Sequence, residues 1–167
     1  MMKGDSLEAV YKCYMNDIYR YLLSLLGHPQ TAEDLLQDTF VKAYEHLDSY
    51  QGEKVRPWLF KAAYYAYVDW YRREKRQIVT DPGLFAVIYQ AADSGPEETY
   101  LYEEKINHWF KVTRALPEKS RQILILRDYY EFSYQEIADI LNISLANVKV
   151  SLYRARQTIR EVMKDEL

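Results

Sequence analysis

The chain has 167 residues, enough for one medium domain or two small ones, with a formal net charge of −3. Its 17 Tyr against 5 Gly and 5 Pro favour helices with aromatic surfaces over a loop-rich fold. The single cysteine, Cys13, excludes an internal disulfide and a multi-cysteine zinc site, and no apolar run is long enough to span a membrane.

No charged-then-apolar leader is read at the start of the sequence, which with the cysteine usage predicts a cytoplasmic protein. His28, His46 and His108 lack metal-ligand spacing, so neither a metal nor another cofactor is expected.

A first helix is predicted from Ser6 to Leu26, stopped by Gly27 with Pro29 beyond it. A second starts at Thr31, whose hydroxyl caps with Asp34 answering three residues on, and runs to Leu47. Leu36, Phe40, Ala43 and Leu47 form its core side, and Asp34, Gln37, Asp38 and Val41 lie elsewhere. That mixed acid, amide and apolar face suits a basic protein partner, and on spacing alone suits solvent equally.

A loop follows, with Gly52, and Pro57 then suits the first turn of a third helix reaching Arg76. This helix carries Trp58, Phe60, Tyr64, Tyr65, Tyr67, Trp70 and Tyr71, then Arg72, Arg73, Lys75 and Arg76. One helix face buries three or four large rings, so the segment holds more than a core needs. Bases stack on rings and phosphates meet arginine, so the segment as a unit points to unpaired nucleic acid. Any single ring fits a core position equally well.

Asp81-Pro82-Gly83 and Asp93-Ser94-Gly95-Pro96 are turn signals, and 77–96 reads as a linker with a short ordered piece around Leu84 to Tyr89. Helices resume at Glu97, break at Leu116-Pro117, and continue from Glu118 to Tyr130. A short helix then runs from Ser133 to Leu141, with Ile137, Ile140 and Leu141 inward and Ala138 small enough for close approach. Asn142 tolerates the left-handed conformation that ends helices, and Ser144 suits the N-cap of the last helix.

In that last helix Val148, Leu152, Ala155, Ile159 and Val162 form an apolar stripe. Lys149, Tyr153, Arg156 and Arg160 recur at the same spacing on another face, flanked by Asn147 and Arg154. Two helices, a tight turn, an N-cap and a cationic stripe together describe a helix-turn-helix that reads a DNA major groove. The plainer alternative is an amphipathic hairpin with a solvated basic face. No strand-like alternation of useful length occurs. The fold class is all-α: two small helical domains, residues 1–76 and 97–167, joined by an acidic flexible linker.

Residues 1–76 carry 11 basic and 11 acidic side chains, residues 77–116 carry 3 and 6, and residues 117–167 carry 8 and 8. The middle holds all the excess negative charge. Non-specific DNA affinity grows with the number of phosphates neutralised. Balanced ends therefore predict weak DNA binding alone and a partner that supplies affinity.

Three strings carry a resemblance: AEDLLQDTF (Ala32–Phe40), RPWLFKAA with DWYRR (Arg56–Arg73), and LPEKSRQILILR, SYQEIADILNIS and VKVSLYRAR (Leu116–Arg156). In this order and spacing they resemble bacterial sigma factors of the extracytoplasmic-function group of the sigma-70 family, with the strings around Tyr14–Ser24 similar to sigma-M-like members. The resemblance implies a promoter-specificity subunit of RNA polymerase with a sigma2-like and a sigma4-like domain. It places Asp34, Gln37 and Asp38 on the coiled coil of the polymerase β′ subunit, with β also a partner. It places Trp58, Lys61, Tyr64, Tyr65, Asp69, Arg72 and Arg73, with Arg76 adjoining, at the −10 promoter element. It places Lys149, Val150, Tyr153 and Arg154 at the −35 element, with Asn147, Ser151 and Arg156 adjacent. It further implies an anti-sigma factor as partner, in many members membrane-bound, and no small-molecule substrate.

Two departures stand out. Tyr65 occupies a position where many members carry Asn, so stacking replaces hydrogen bonding there. Ala146, Asn147 and Val148 replace a frequent Gly-Thr-Val, and Val150 and Ser151 follow Lys149 where members often carry Ser and Arg. Val150 offers only apolar contact, for instance with a thymine methyl. The alternative reading is a dimeric helix-turn-helix regulator, which leaves AEDLLQDTF and the aromatic helix unexplained. No carboxylate cluster, phosphate-cradling glycine loop or Cys–His pair supports an enzyme.

Overall fold

The computed structural model describes residues 5–46, 54–74 and 97–165. Among these every regular element is helical and none is a strand. The chain divides into two compact units, Met1–Asp81 and Pro82–Leu167. The predicted piece around Leu84–Tyr89, Leu47 and Arg76 lie outside the described residues.

Unit 1 holds three helices, α1 (Asp5–Leu26), α2 (Pro29–Glu45) and α3 (Val55–Arg73), each packed on the other two. The core takes Ile18, Tyr21 and Leu22 from α1, Leu35, Leu36 and Phe40 from α2, and Leu59, Phe60 and Ala63 from α3. Tyr21 lies against Phe60 with ring centroids 4.9 Å apart, and the Tyr11 ring meets Phe40 edge-on at 4.8 Å. Burying a large apolar side chain contributes about 1.5–3 kcal/mol, so these rings add to the hold that the buried Ile18 and Leu22 give between α1 and the other two helices.

The first helix stops where the sequence predicts. Gly27 has φ 70°, the left-handed position that a side chain disfavours, and its N–H donates to Leu23 O at 2.8 Å. The second helix starts two residues earlier than Thr31. Pro29 fits the first helical position, and the cap is the His28 ring, whose Nδ1 accepts from Thr31 N at 3.3 Å. The predicted Thr31–Asp34 capping box is replaced because Thr31 already lies inside the first turn. The third helix begins at Val55, which puts Pro57 in its first turn as predicted, and it ends at Arg73, short of the predicted Arg76.

Unit 2 holds α4 (Glu97–Thr113), α5 (Glu118–Leu124), a π-helical turn (Ile125–Tyr129), α6 (Tyr134–Leu141) and α7 (Leu145–Asp165), with α7 packed against α4, α5 and α6. The sequence predicts one helix from Glu118 to Tyr130, and the chain instead widens after Leu124. Tyr130 N–H reaches five residues back to Ile125 O at 3.1 Å. Glu131 then adopts φ 62°, and Phe132 N–H closes on Leu126 O at 3.0 Å. A left-handed glutamate is uncommon; here it lies between Tyr130 and Phe132, both buried.

At eight residues α6 is too short to stand alone in water. A capping box stabilises it: Ser133 Oγ accepts from Glu136 N at 3.0 Å, and Glu136 Oε1 accepts from Ser133 N at 2.9 Å. Ile137, Ala138, Ile140 and Leu141 are buried, and Asn142 ends the helix at φ 55°, ψ 52° as predicted. Ser144 caps α7, its Oγ accepting from Asn147 N at 3.1 Å. Val148, Leu152, Ala155 and Ile159 form the buried stripe, with Val162 half-buried.

Candidate nucleic-acid interface

The outward face of α2 carries Asp34, Gln37 and Asp38, all exposed, with Val41 55% and Tyr44 62% exposed beside them. Asp34 Oδ1 accepts from Gln30 Nε2 at 3.3 Å. The spacing 34, 37, 41, 44 places acid, amide and two apolar side chains on one stripe. Sequence reasoning missed Tyr44; it continues the helical spacing from Gln37 and Val41, which was the signal. Such a stripe offers a partner both charge and apolar area to bury.

The rings of α3 divide between core and surface. Phe60 and Tyr67 are buried, Trp58, Tyr64, Trp70 and Tyr71 are half-buried, and Tyr65 is exposed. Tyr64, Tyr67 and Tyr71 follow one another along the helix with centroids 6.4 and 6.0 Å apart. Lys61 Nζ sits 5.9 Å from the Tyr65 ring. Lys61, Tyr65, Asp69 and Arg72 share one face at intervals of three or four, with Arg73 alongside, whose Nε donates to Asp69 O at 3.3 Å. A ring beside cations on one exposed face suits an unpaired base and its phosphate.

Asp69 differs from its neighbours. Its carboxylate meets Lys42 Nζ of α2 at 3.5 Å, both ends about half exposed. A pair so wet contributes under about 1 kcal/mol. A carboxylate repels phosphate; Asp69 is the one acidic side chain on this face of α3, and its ion pair reaches α2.

Of the α7 residues assigned from the sequence, Lys149, Val150, Tyr153 and Arg154 are exposed and Asn147, Ser151 and Arg156 are half-buried. Ser151 Oγ donates to Asn147 Oδ1 at 2.9 Å, which leaves the Asn147 amide hydrogens as the polar offering of that turn. Tyr153 OH accepts from Gln157 Nε2 at 3.1 Å. An open groove of about 240 Å³ is lined by Tyr134, Lys149, Leu152, Tyr153, Arg156, Gln157 and Arg160.

Arg156, read from the sequence as part of the cationic stripe, has an intramolecular partner. Its Nη2 and Nε donate to the two carboxylate oxygens of Asp128, the second at 3.4 Å. The hydrogen bond to Asp128 pushes its pKa above the ordinary arginine value. The partner lies 28 residues upstream, in the π-helical turn, where no helical periodicity points to it.

One chain that holds a three-helix unit with an aromatic and basic surface and a capped helix-turn-helix with a cationic second helix defines an all-helical DNA-binding protein. Residues 10–77 match the family model for sigma-70 region 2, and residues 111–159 match that for sigma-70 region 4. The chain is 38% identical over 155 residues to the ECF RNA polymerase sigma factor SigM of Bacillus subtilis, covering 93% of each. It is 35% identical over 164 residues to the RNA polymerase sigma factor YlaC of the same organism, covering 98% of this chain and 95% of that protein.

Among solved structures, the sigma factor RpoE from Bartonella quintana aligns with a TM-score of 0.72 at 21% identity, covering 96% of this chain and 98% of that one. CnrH aligns with a TM-score of 0.70 at 19% identity, covering 99% and 92%. The chain belongs to the extracytoplasmic-function group of the sigma-70 family of RNA polymerase sigma factors.

Proposed function

We propose that the chain works as a promoter-specificity subunit whose two units engage different parts of one promoter while core RNA polymerase performs the chemistry. The observation that carries this reading is the presence of both matched regions in one chain. The protein acts in the cytoplasm and performs no catalysis of its own.

In this reading the domains are residues 1–76 and 97–167, joined by an acidic linker. Asp34, Gln37 and Asp38 dock the β′ coiled coil, with Val41 and Tyr44 adding apolar contact. Tyr65 stacks on an unpaired −10 base while Lys61, Arg72 and Arg73 meet phosphate. Trp58 and Tyr64 brace that surface. Lys149, Tyr153 and Arg154 read the −35 duplex, Val150 packs on a thymine methyl, and Asn147 with Ser151 fixes the start of the helix. An anti-sigma factor that covers the docking face is the partner class that family membership brings.

Run-off transcription with core polymerase on a genomic library tests the reading. The expected result is initiation at a shared pair of −35 and −10 sequences, and little DNA binding by the chain alone. Tight sequence-specific binding without polymerase, or no promoter-directed transcripts, would overturn it.

Arg154→Ala tests the assignment on α7. Promoter binding by the holoenzyme weakens by about 1–3 kcal/mol, with relaxed preference at one −35 position. Equal weakening on a scrambled −35 element would place Arg154 on phosphate instead.

A further inference from the structure

The helix face that reads DNA holds a cation that the protein keeps for itself. Lys149, Arg156 and Arg160 stand in one row on α7 and line one groove. Arg156 alone of the three is held by a carboxylate fork, from Asp128 in the π-helical turn. Fork-on-fork contact between guanidinium and carboxylate is among the strongest and most directional hydrogen bonds proteins make.

Asp128 lies in the wide turn that Tyr130 N–H closes on Ile125 O. The Tyr134 side chain, on the first turn of α6, also interacts with Arg156. The Arg127 guanidinium lies over the Tyr134 ring, 4.8 Å from its centre, and donates to Phe132 O at 2.9 Å. One cluster thus joins the π-helical turn, α6 and the recognition helix.

We propose that Asp128 is a positioning residue for promoter reading: it holds the Arg156 guanidinium against the π-helical turn, away from phosphate, so that α7 grips DNA of arbitrary sequence less tightly. The inference rests on the reading of α7 as the −35 helix. Phosphate contacts fix register but carry no sequence information. A free arginine at this place would add affinity for every sequence alike, and base contacts would decide less of the total.

The test uses holoenzyme assembled from the full chain and core polymerase, titrated with salt on duplexes bearing the promoter −35 element or a scrambled one. Asp128→Asn keeps the shape and removes the charge. The slope of log affinity against log salt steepens by about 0.9, one more phosphate neutralised. Preference for the promoter element over the scrambled one falls several-fold. Adding Arg156→Gln to Asp128→Asn returns the slope to its starting value, and Asp128→Glu, which keeps the charge, leaves it there.

An unchanged slope in Asp128→Asn, or a slope that stays steep in the double variant, overturns the proposal. Should Asp128→Asn fail to fold by circular dichroism, Arg156→Gln alone decides. An unchanged slope supports the proposal, and one shallower by about 0.9 places Arg156 on phosphate and sinks it. Failure of the underlying reading looks different, since the unsubstituted holoenzyme would then show no preference for the −35 element.

Discussion

Asp38→Arg is expected to abolish assembly with core RNA polymerase while leaving unit 1 folded. The side chain is exposed, on the outward face of α2, opposite the Leu36, Phe40 and Ala43 positions that enter the core. A substitution there changes stability by less than about 0.5 kcal/mol. Its effect on docking is far larger, because reversal removes an attraction and installs a like-charge contact. Such contacts cost several kcal/mol, and about 4 kcal/mol is roughly a thousandfold in affinity. Titration of core polymerase with the labelled chain measures this, with far-ultraviolet circular dichroism as the check on folding. Affinity within a few-fold of the unsubstituted chain would remove Asp38 from the docking face.

The position of Asp38 was legible in the sequence because helical periodicity alone sets which side of α2 it occupies. The same reasoning placed the inward and outward residues of α6 and α7, the left-handed Asn142 and the Ser144 cap. It failed at an unusual cap and at a contact that skips the local register. The His28 cap was missed because histidine is not among the usual capping residues, although its ring nitrogen accepts as an Asp oxygen would. The π-helical turn left no trace in the apolar pattern, since Ile123, Leu124, Ile125 and Leu126 are all buried and show no preferred face. With the turn unseen, Asp128 could not be placed against Arg156, and the arginine read as one more free cation.

The aromatic helix shows the limit most clearly, because composition counts rings and packing alone assigns them. Phe60 is fully buried, against Tyr21 and beneath Arg56, whose guanidinium lies 5.5 Å from the ring centre. Phe60→Ala is therefore expected to destabilise unit 1 by about 3–5 kcal/mol. Total stability of a domain is about 5–15 kcal/mol, so this is a large share. For a unit of this size the loss lowers the melting temperature by about 15–30 °C. Scanning calorimetry should show the transition of unit 1 falling while that of unit 2 stays. Transcription is expected to be lost with it, although Phe60 is fully buried, because the docking face proposed on α2 and the Tyr65 surface both depend on the packing of α3. Tyr65→Ala is the contrast: its melting temperature stays near that of the unsubstituted chain and the defect is confined to −10 opening. Were Phe60→Ala instead to melt normally and fail only at −10 opening, its ring would be a base-stacking surface and the division of α3 into core and surface rings would be wrong.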